Sequence, residues 1–175
     1  MSRPILIIGI GNEYRSDDGA GLVVARELQA KKLPHILVTE CSGDGAELME
    51  MWKTADTAIL IDAISSEAKA GAIYRLDALT QPIPASFSFP STHAFGVAEA
   101  LRLARALDQL PPCLMIYAIE GKNFAAGKGL SLEVEQAVRE VVEQVASEVQ
   151  HILKRHTHDL ICAAETNNVS GQPLR

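Results

Sequence analysis

Residues 5–22 read Ile-Leu-Ile-Ile-Gly-Ile-Gly-Asn-Glu-Tyr-Arg-Ser-Asp-Asp-Gly-Ala-Gly-Leu, an apolar strand joined to a helix through glycines and two adjacent carboxylates. An unbroken apolar run such as Ile5–Ile10 belongs to a strand covered on both faces, and a helix following directly on it commits the chain to parallel crossovers. A plain strand-to-helix turn needs one glycine and one capping residue. This loop adds Asp17 and Asp18, placed to meet a ligand.

The alternation continues along the chain. Gly19–Lys31 carries Gly21, Val24, Ala25 and Leu28 at helical spacing. Ile36–Thr39 reads as a strand, Gly45–Trp52 as a short helix with Leu48, Met49 and Trp52 on one face, and Thr57–Asp62 as a strand. Ala72–Leu76 is shorter and more polar, which predicts an antiparallel edge strand reached by a tight connection. Residues 81–93 hold three prolines and predict a long ordered loop. Ala94–Leu107 reads as a helix, Cys113–Ile119 as a fifth strand, and Ser131–Lys154 as a long closing helix with Ser131 at its N-cap. The expected architecture is a three-layer αβα sandwich around a mostly parallel five-stranded sheet with one antiparallel edge strand. One α/β domain is expected over residues 1–155, and 156–175, where the apolar period fades, reads as a flexible C-terminal tail.

Composition narrows the function classes. For a chain of 175 residues, a net charge of −6 argues against binding nucleic acid through a basic face. No apolar run approaches a membrane span, and the N-terminal run is too short for a signal peptide. The three cysteines, Cys41, Cys113 and Cys162, show neither disulfide-framework nor thiolate-zinc spacing, which fits a reducing cytoplasm. Gly9-Ile10-Gly11 lacks the third glycine of a dinucleotide fingerprint, because Tyr14 stands there, so a nicotinamide or flavin role is a minor alternative.

In open α/β sheets ligands bind beyond the carboxyl ends of the strands. Asp18 closes the loop after the first strand, Asp62 ends the third, and His93 precedes the helix after the proline-rich loop. Glu40 and Glu120 follow the second and fifth strands at the same edge, as candidate supporting or substrate-contacting groups. Singly, each residue of the trio has an ordinary reading: a helix cap, a turn cap, a solvated histidine. Together, two carboxylates and one imidazole suit a divalent transition ion such as nickel, zinc or manganese, with coordination positions left for water or substrate.

Gly9-Ile-Gly11-Asn12, Ser16-Asp17-Asp18-Gly19-Ala20-Gly21, Leu60-Ile-Asp62-Ala63, Ser91-Thr-His93-Ala-Phe-Gly96 and Ile119-Glu-Gly-Lys-Asn-Phe124 with Gly129-Leu-Ser131 together resemble the hydrogenase maturation proteases, in order from Ile5 to about Val149. The resemblance implies a cytoplasmic endopeptidase, acting as a monomer, that removes a C-terminal extension from the large-subunit precursor of a nickel–iron hydrogenase after nickel insertion. It places the family's metal ligands on Asp18, Asp62 and His93, which are also the candidate catalytic residues. The metal implied is nickel, that of the substrate's own centre, with zinc or cadmium able to substitute in vitro. Asp17, beside Asp18, is a second candidate for the first ligand; Asp18, directly before Gly19, is favoured. Glu40-Cys-Ser-Gly-Asp-Gly45 stands where many members carry an Asp-Gly-Gly-Thr run, so that acidic role passes to Glu40. The alternative from another class is a non-catalytic nickel-sensing or scaffold protein in hydrogenase assembly.

Overall fold

A computed structural model describes residues 3–90 and 93–168, with side chains described as far as Arg155. Five strands, β1 (Ile5–Ile10), β2 (Ile36–Cys41), β3 (Thr57–Ile64), β4 (Ile73–Asp77) and β5 (Cys113–Glu120), form one sheet in the order β2-β1-β3-β5-β4. All neighbours run parallel except β4, which lies antiparallel on the edge of β5. The helices are α1 (Ala20–Ala30), α2 (Gly45–Trp52), α3 (Val97–Ala106) and α4 (Leu132–Asn168). The mostly parallel sheet with its antiparallel edge is therefore the one the hydrophobic periods predict.

Side-chain alternation divides the interior into two cores. Ile5, Ile7, Ile59, Ile61, Met115 and Tyr117 face α1 and the valine-rich side of α4. Leu6, Ile8, Ala58, Leu60, Leu114 and Ile116 face Leu48 and Trp52 of α2 and Val97 and Leu101 of α3. β1 and β3 are buried along their whole length, as central strands must be.

Several boundaries differ from the sequence reading, among them the end of β2, which runs to Cys41 rather than Thr39. β3 runs two residues past Asp62, which pairs in register with Ala118 of β5. The 65–72 connection does not fold β4 back beside β3: β5 lies between them, because its buried apolar run needs neighbours on both sides. β4, carrying Arg75 and Asp77, suits the edge. α3 begins at Val97 rather than Ala94, with Gly96 at its N-cap, and the Glu99 carboxylate accepts the Gly96 N–H at 3.2 Å. Against the flexible tail expected over 156–175, the backbone of α4 continues as helix to Asn168, past the fading of the apolar period; residues 169–175 lie outside the described residues, as do Ser91 and Thr92.

Strand order reverses at β1. The crossover through α1 sets β2 on one side, and the next one, through α2, sets β3 on the other. Pairing between β1 and β3 stops at Gly9 with Ile61, while β3 continues against β5. A crevice therefore opens beyond the carboxyl end of β1, where such folds bind ligands.

Candidate functional site

The loop leaving β1 is wound tightly at the mouth of this crevice. Gly11 has φ +142°, and a Cβ there would stand 1.8 Å from the Asp18 carbonyl oxygen, which accepts the Asn12 N–H at 3.3 Å. At Gly21 a Cβ would lie 2.2 Å from the Ile61 oxygen and 2.3 Å from that of Ile10, so α1 reaches β1 and β3 only because this position is bare. Backbone packing thus accounts for these glycines.

The two aspartates lie in a single 3-10 turn, Ser16–Gly19, and part company there. Neither caps α1, whose N-cap is Gly19 without a side-chain bond. Asp17 is fully buried and turned toward the segment before α4. Its carboxylate accepts the N–H groups of Lys122 and Asn123, both at 2.8 Å, and of Ser131 at 2.7 Å, with the Ser131 hydroxyl at 3.0 Å. Burial opposes its charge, but these bonds prevail and hold its pKa below the usual carboxylate value. Asp17 is an anchor and does not line the cleft; Asp18 does.

The cleft has a volume of about 330 Å³ and is lined by Asp18, Asp62 and His93, with Asn12, Arg15, Glu40, Ser42 and Pro90 among their neighbours. The three residues singled out from the sequence thus share one cavity. Asp18, 5% exposed, has its pKa raised by burial, with Arg15, at 3.8 Å, and the Asn12 amide pulling the other way. Asp62 lies in phase with Ala58 and Leu60, on the α2–α3 face of the sheet. It is 4% exposed, and its pKa stands well above the ordinary value through burial first and the charge of Asp18 second, against one bond from the Ala63 N–H at 2.8 Å. Two carboxyls so placed resist ionising together unless a cation joins them.

His93 enters from the far wall. Its Nε2 lies 3.1 Å from the Ser42 hydroxyl and its Nδ1 3.6 Å from the Asp44 carboxylate. Among the described residues no three His, Cys, Asp or Glu side chains stand close enough together to grip one ion. The trio frames a cavity of suitable donor chemistry, hard oxygens with one imidazole.

The supporting carboxylates divide. Glu40, within β2, lines the cleft and takes a two-pronged bond from Arg26 at 2.8 and 2.9 Å, which lowers its pKa. Glu120, the last residue of β5, is buried outside the cleft lining and accepts the Ser66 N–H and hydroxyl at 2.8 and 2.7 Å, so it fastens a loop. The Cys41 thiol is buried, its pKa pushed up to about 12 by burial and by Glu47, which makes it a poor nucleophile. Sequence reasoning missed Arg15, whose guanidinium also donates to the Pro90 carbonyl at 2.5 Å, and the Ser42 and Asp44 side chains. The Glu40–Gly45 segment carried a signal for the latter pair, in the polar side chains it adds to an otherwise glycine-rich turn.

Comparison with known proteins accords with this geometry. A family model described as hydrogenase maturation protease matches residues 23–148. The Hydrogenase 2 maturation protease of Escherichia coli is 25% identical over 163 residues, covering 89% of this chain and 99% of that protein. Among solved structures, the nickel–iron hydrogenase maturation protease HybD from Thermococcus kodakarensis is 29% identical with a TM-score of 0.67, covering 83% of this chain and 99% of its own. The hydrogenase maturating endopeptidase HybD from E. coli is 25% identical with a TM-score of 0.69, covering 85% and 93% respectively.

Proposed function

The chain belongs to the hydrogenase maturation protease family, and we propose that it is the endopeptidase that removes the C-terminal extension from the large-subunit precursor of a nickel–iron hydrogenase once nickel is in place. The observation that carries this reading is the convergence of Asp18, Asp62 and His93, remote in sequence, on one cavity at the point where strand order reverses.

The metal in this scheme arrives with the substrate. An empty precursor offers nothing to offset two crowded carboxyls, whereas a loaded centre supplies the positive charge that favours their ionised forms. Peptide hydrolysis needs an activated water and a stabilised oxyanion, and the nickel centre supplies Lewis acidity at the scissile bond. Asp62 and Asp18, whose affinity for a proton burial raises, are the groups able to take one from the attacking water and pass it to the leaving amine. His93 brings an imidazole to the same cleft. In this scheme the protein works in the cytoplasm as a monomer. No helix among the described residues is long and apolar enough to cross a membrane.

Purified protein incubated with nickel-loaded and nickel-free precursor, the products weighed by mass spectrometry, tests the reading. A shortened large subunit is expected from the loaded precursor alone. Binding without shortening would leave a nickel-sensing scaffold in its place, and equal cutting of both precursors would remove nickel from the recognition step.

A further inference from the structure

The turn after β2 and the run-in to α3 are docked against each other. The Gly45 N–H donates to the Phe95 carbonyl at 2.9 Å, and the Phe95 ring covers Gly45 so closely that a Cβ there would stand 2.5 Å from Cδ1. This junction brings two side chains of the turn to the two ring nitrogens of His93: Ser42 Oγ to Nε2 at 3.1 Å, Asp44 Oδ2 to Nδ1 at 3.6 Å. Asp44 has divided its carboxylate, since Oδ1 accepts the Glu47 N–H at 2.9 Å and caps α2 while Oδ2 is left for the imidazole.

We propose that Asp44 is a positioning residue that fixes the tautomer of His93, keeping the ring proton on Nδ1 so that the lone pair of Nε2 is the one presented to the substrate's nickel centre. At 3.6 Å the contact is electrostatic rather than a hydrogen bond, and the negative carboxylate, with only lone pairs to offer, favours the hydrogen on the nitrogen it faces in a neutral imidazole. The other nitrogen is then an acceptor, and the Ser42 hydroxyl, which lines the cleft, donates to it until a metal takes that place. Metal-binding histidines are commonly steadied in this way by a carboxylate on the far nitrogen. The role in recognition rests on the functional reading above; the tautomer does not.

The test uses full-length protein with 15N-labelled histidine, the tautomer of neutral His93 being read from proton–nitrogen correlations without metal. Asp44→Asn and Asp44→Ser both keep an oxygen for the α2 cap; the first turns an amide N–H₂ toward Nδ1 and the second is too short to reach it. The wild type should show the Nδ1–H form, and both variants should gain Nε2–H while their unfolding midpoints stay at the wild-type value. Processing of nickel-loaded precursor should slow roughly 10- to 100-fold, mainly in kcat. A wild-type His93 protonated on Nε2, or a tautomer indifferent to Asp44→Asn, would overturn the proposal. A wild-type protein that cuts no precursor would strike the functional reading instead, with the tautomer still deciding the part played by Asp44.

Discussion

Adjacent aspartates with opposite duties make a sharp test at Asp17. In Asp17→Asn one of the two oxygens becomes an amide nitrogen. Turned one way, it meets the N–H groups of Lys122 and Asn123; turned the other, that of Ser131, and every one of these can only donate. The less damaging choice leaves the Ser131 N–H facing another donor, at a cost of about 1–3 kcal/mol for an unsatisfied buried group. The other bonds lose their charge assistance, a further ~1 kcal/mol after the relief of burying a neutral group. The sum is about 2–4 kcal/mol, a large part of the 5–15 kcal/mol that typically holds a domain together. Urea denaturation should show a lower midpoint with an unchanged slope. The pH dependence adds a second check. Asp17 has a folded pKa below its ordinary 3.8, so its contribution is complete above 3.8 and is lost as pH falls through the folded value; the gap between wild type and variant should close in acid. At temperatures where Asp17→Asn stays folded, precursor should still be processed. A loss under ~1 kcal/mol, or a variant that is stable yet inactive, would refute the assignment of Asp17 as an anchor.

Asp62→Asn should act in the reverse sense. A buried carboxyl whose folded pKa is raised binds an extra proton in the native state, so wild-type stability declines as pH climbs from about 3.8 through the folded value. Denaturation midpoints of the variant should decline less over that range, while mass spectrometry detects no processing; a parallel decline in both proteins would contradict the burial argument. Gly21→Ala inserts a methyl group between two carbonyl oxygens and should cost about 1–3 kcal/mol or more, lowering the melting temperature in calorimetry by at least a few degrees. An unchanged melting temperature would mean that α1 is free to shift. Iodoacetamide applied to the folded protein should leave Cys41 unmodified until denaturant is added, as peptide mapping can establish; rapid alkylation of the native protein would contradict its raised pKa.

What could be read from the sequence follows the range of the interactions that decide it. The apolar period of β1 and β3 and the helical spacing of α1 are local, so these elements emerge directly. The convergence of Asp18, Asp62 and His93 on a cavity follows in turn, because parallel crossovers gather strand ends at one edge. Between Asp17 and Asp18 the place before Gly19 favours Asp18, which does line the cleft, but the anchoring role of Asp17 is not legible. Their directions depend on a 3-10 turn and on partners more than 100 residues away. The place of β5 between β3 and β4 was hidden for a similar reason: a short gap in sequence suggests a hairpin, but burial on both faces of β5 outweighs it. Glu120 looked like a ligand candidate from its position alone, and only the Ser66 contacts reveal a fastening role.

The reach of the Asp17 contacts also governs when its turn can be anchored during synthesis. The bonds it accepts span 105 to 114 residues, so a growing chain that has emerged only through β4 and α3 holds an acidic group with none of its eventual donors. Closing so long a span is entropically costly and comes late. The turn that carries Asp18 therefore lacks the anchor beside it until Ser131 has been made and can reach Asp17.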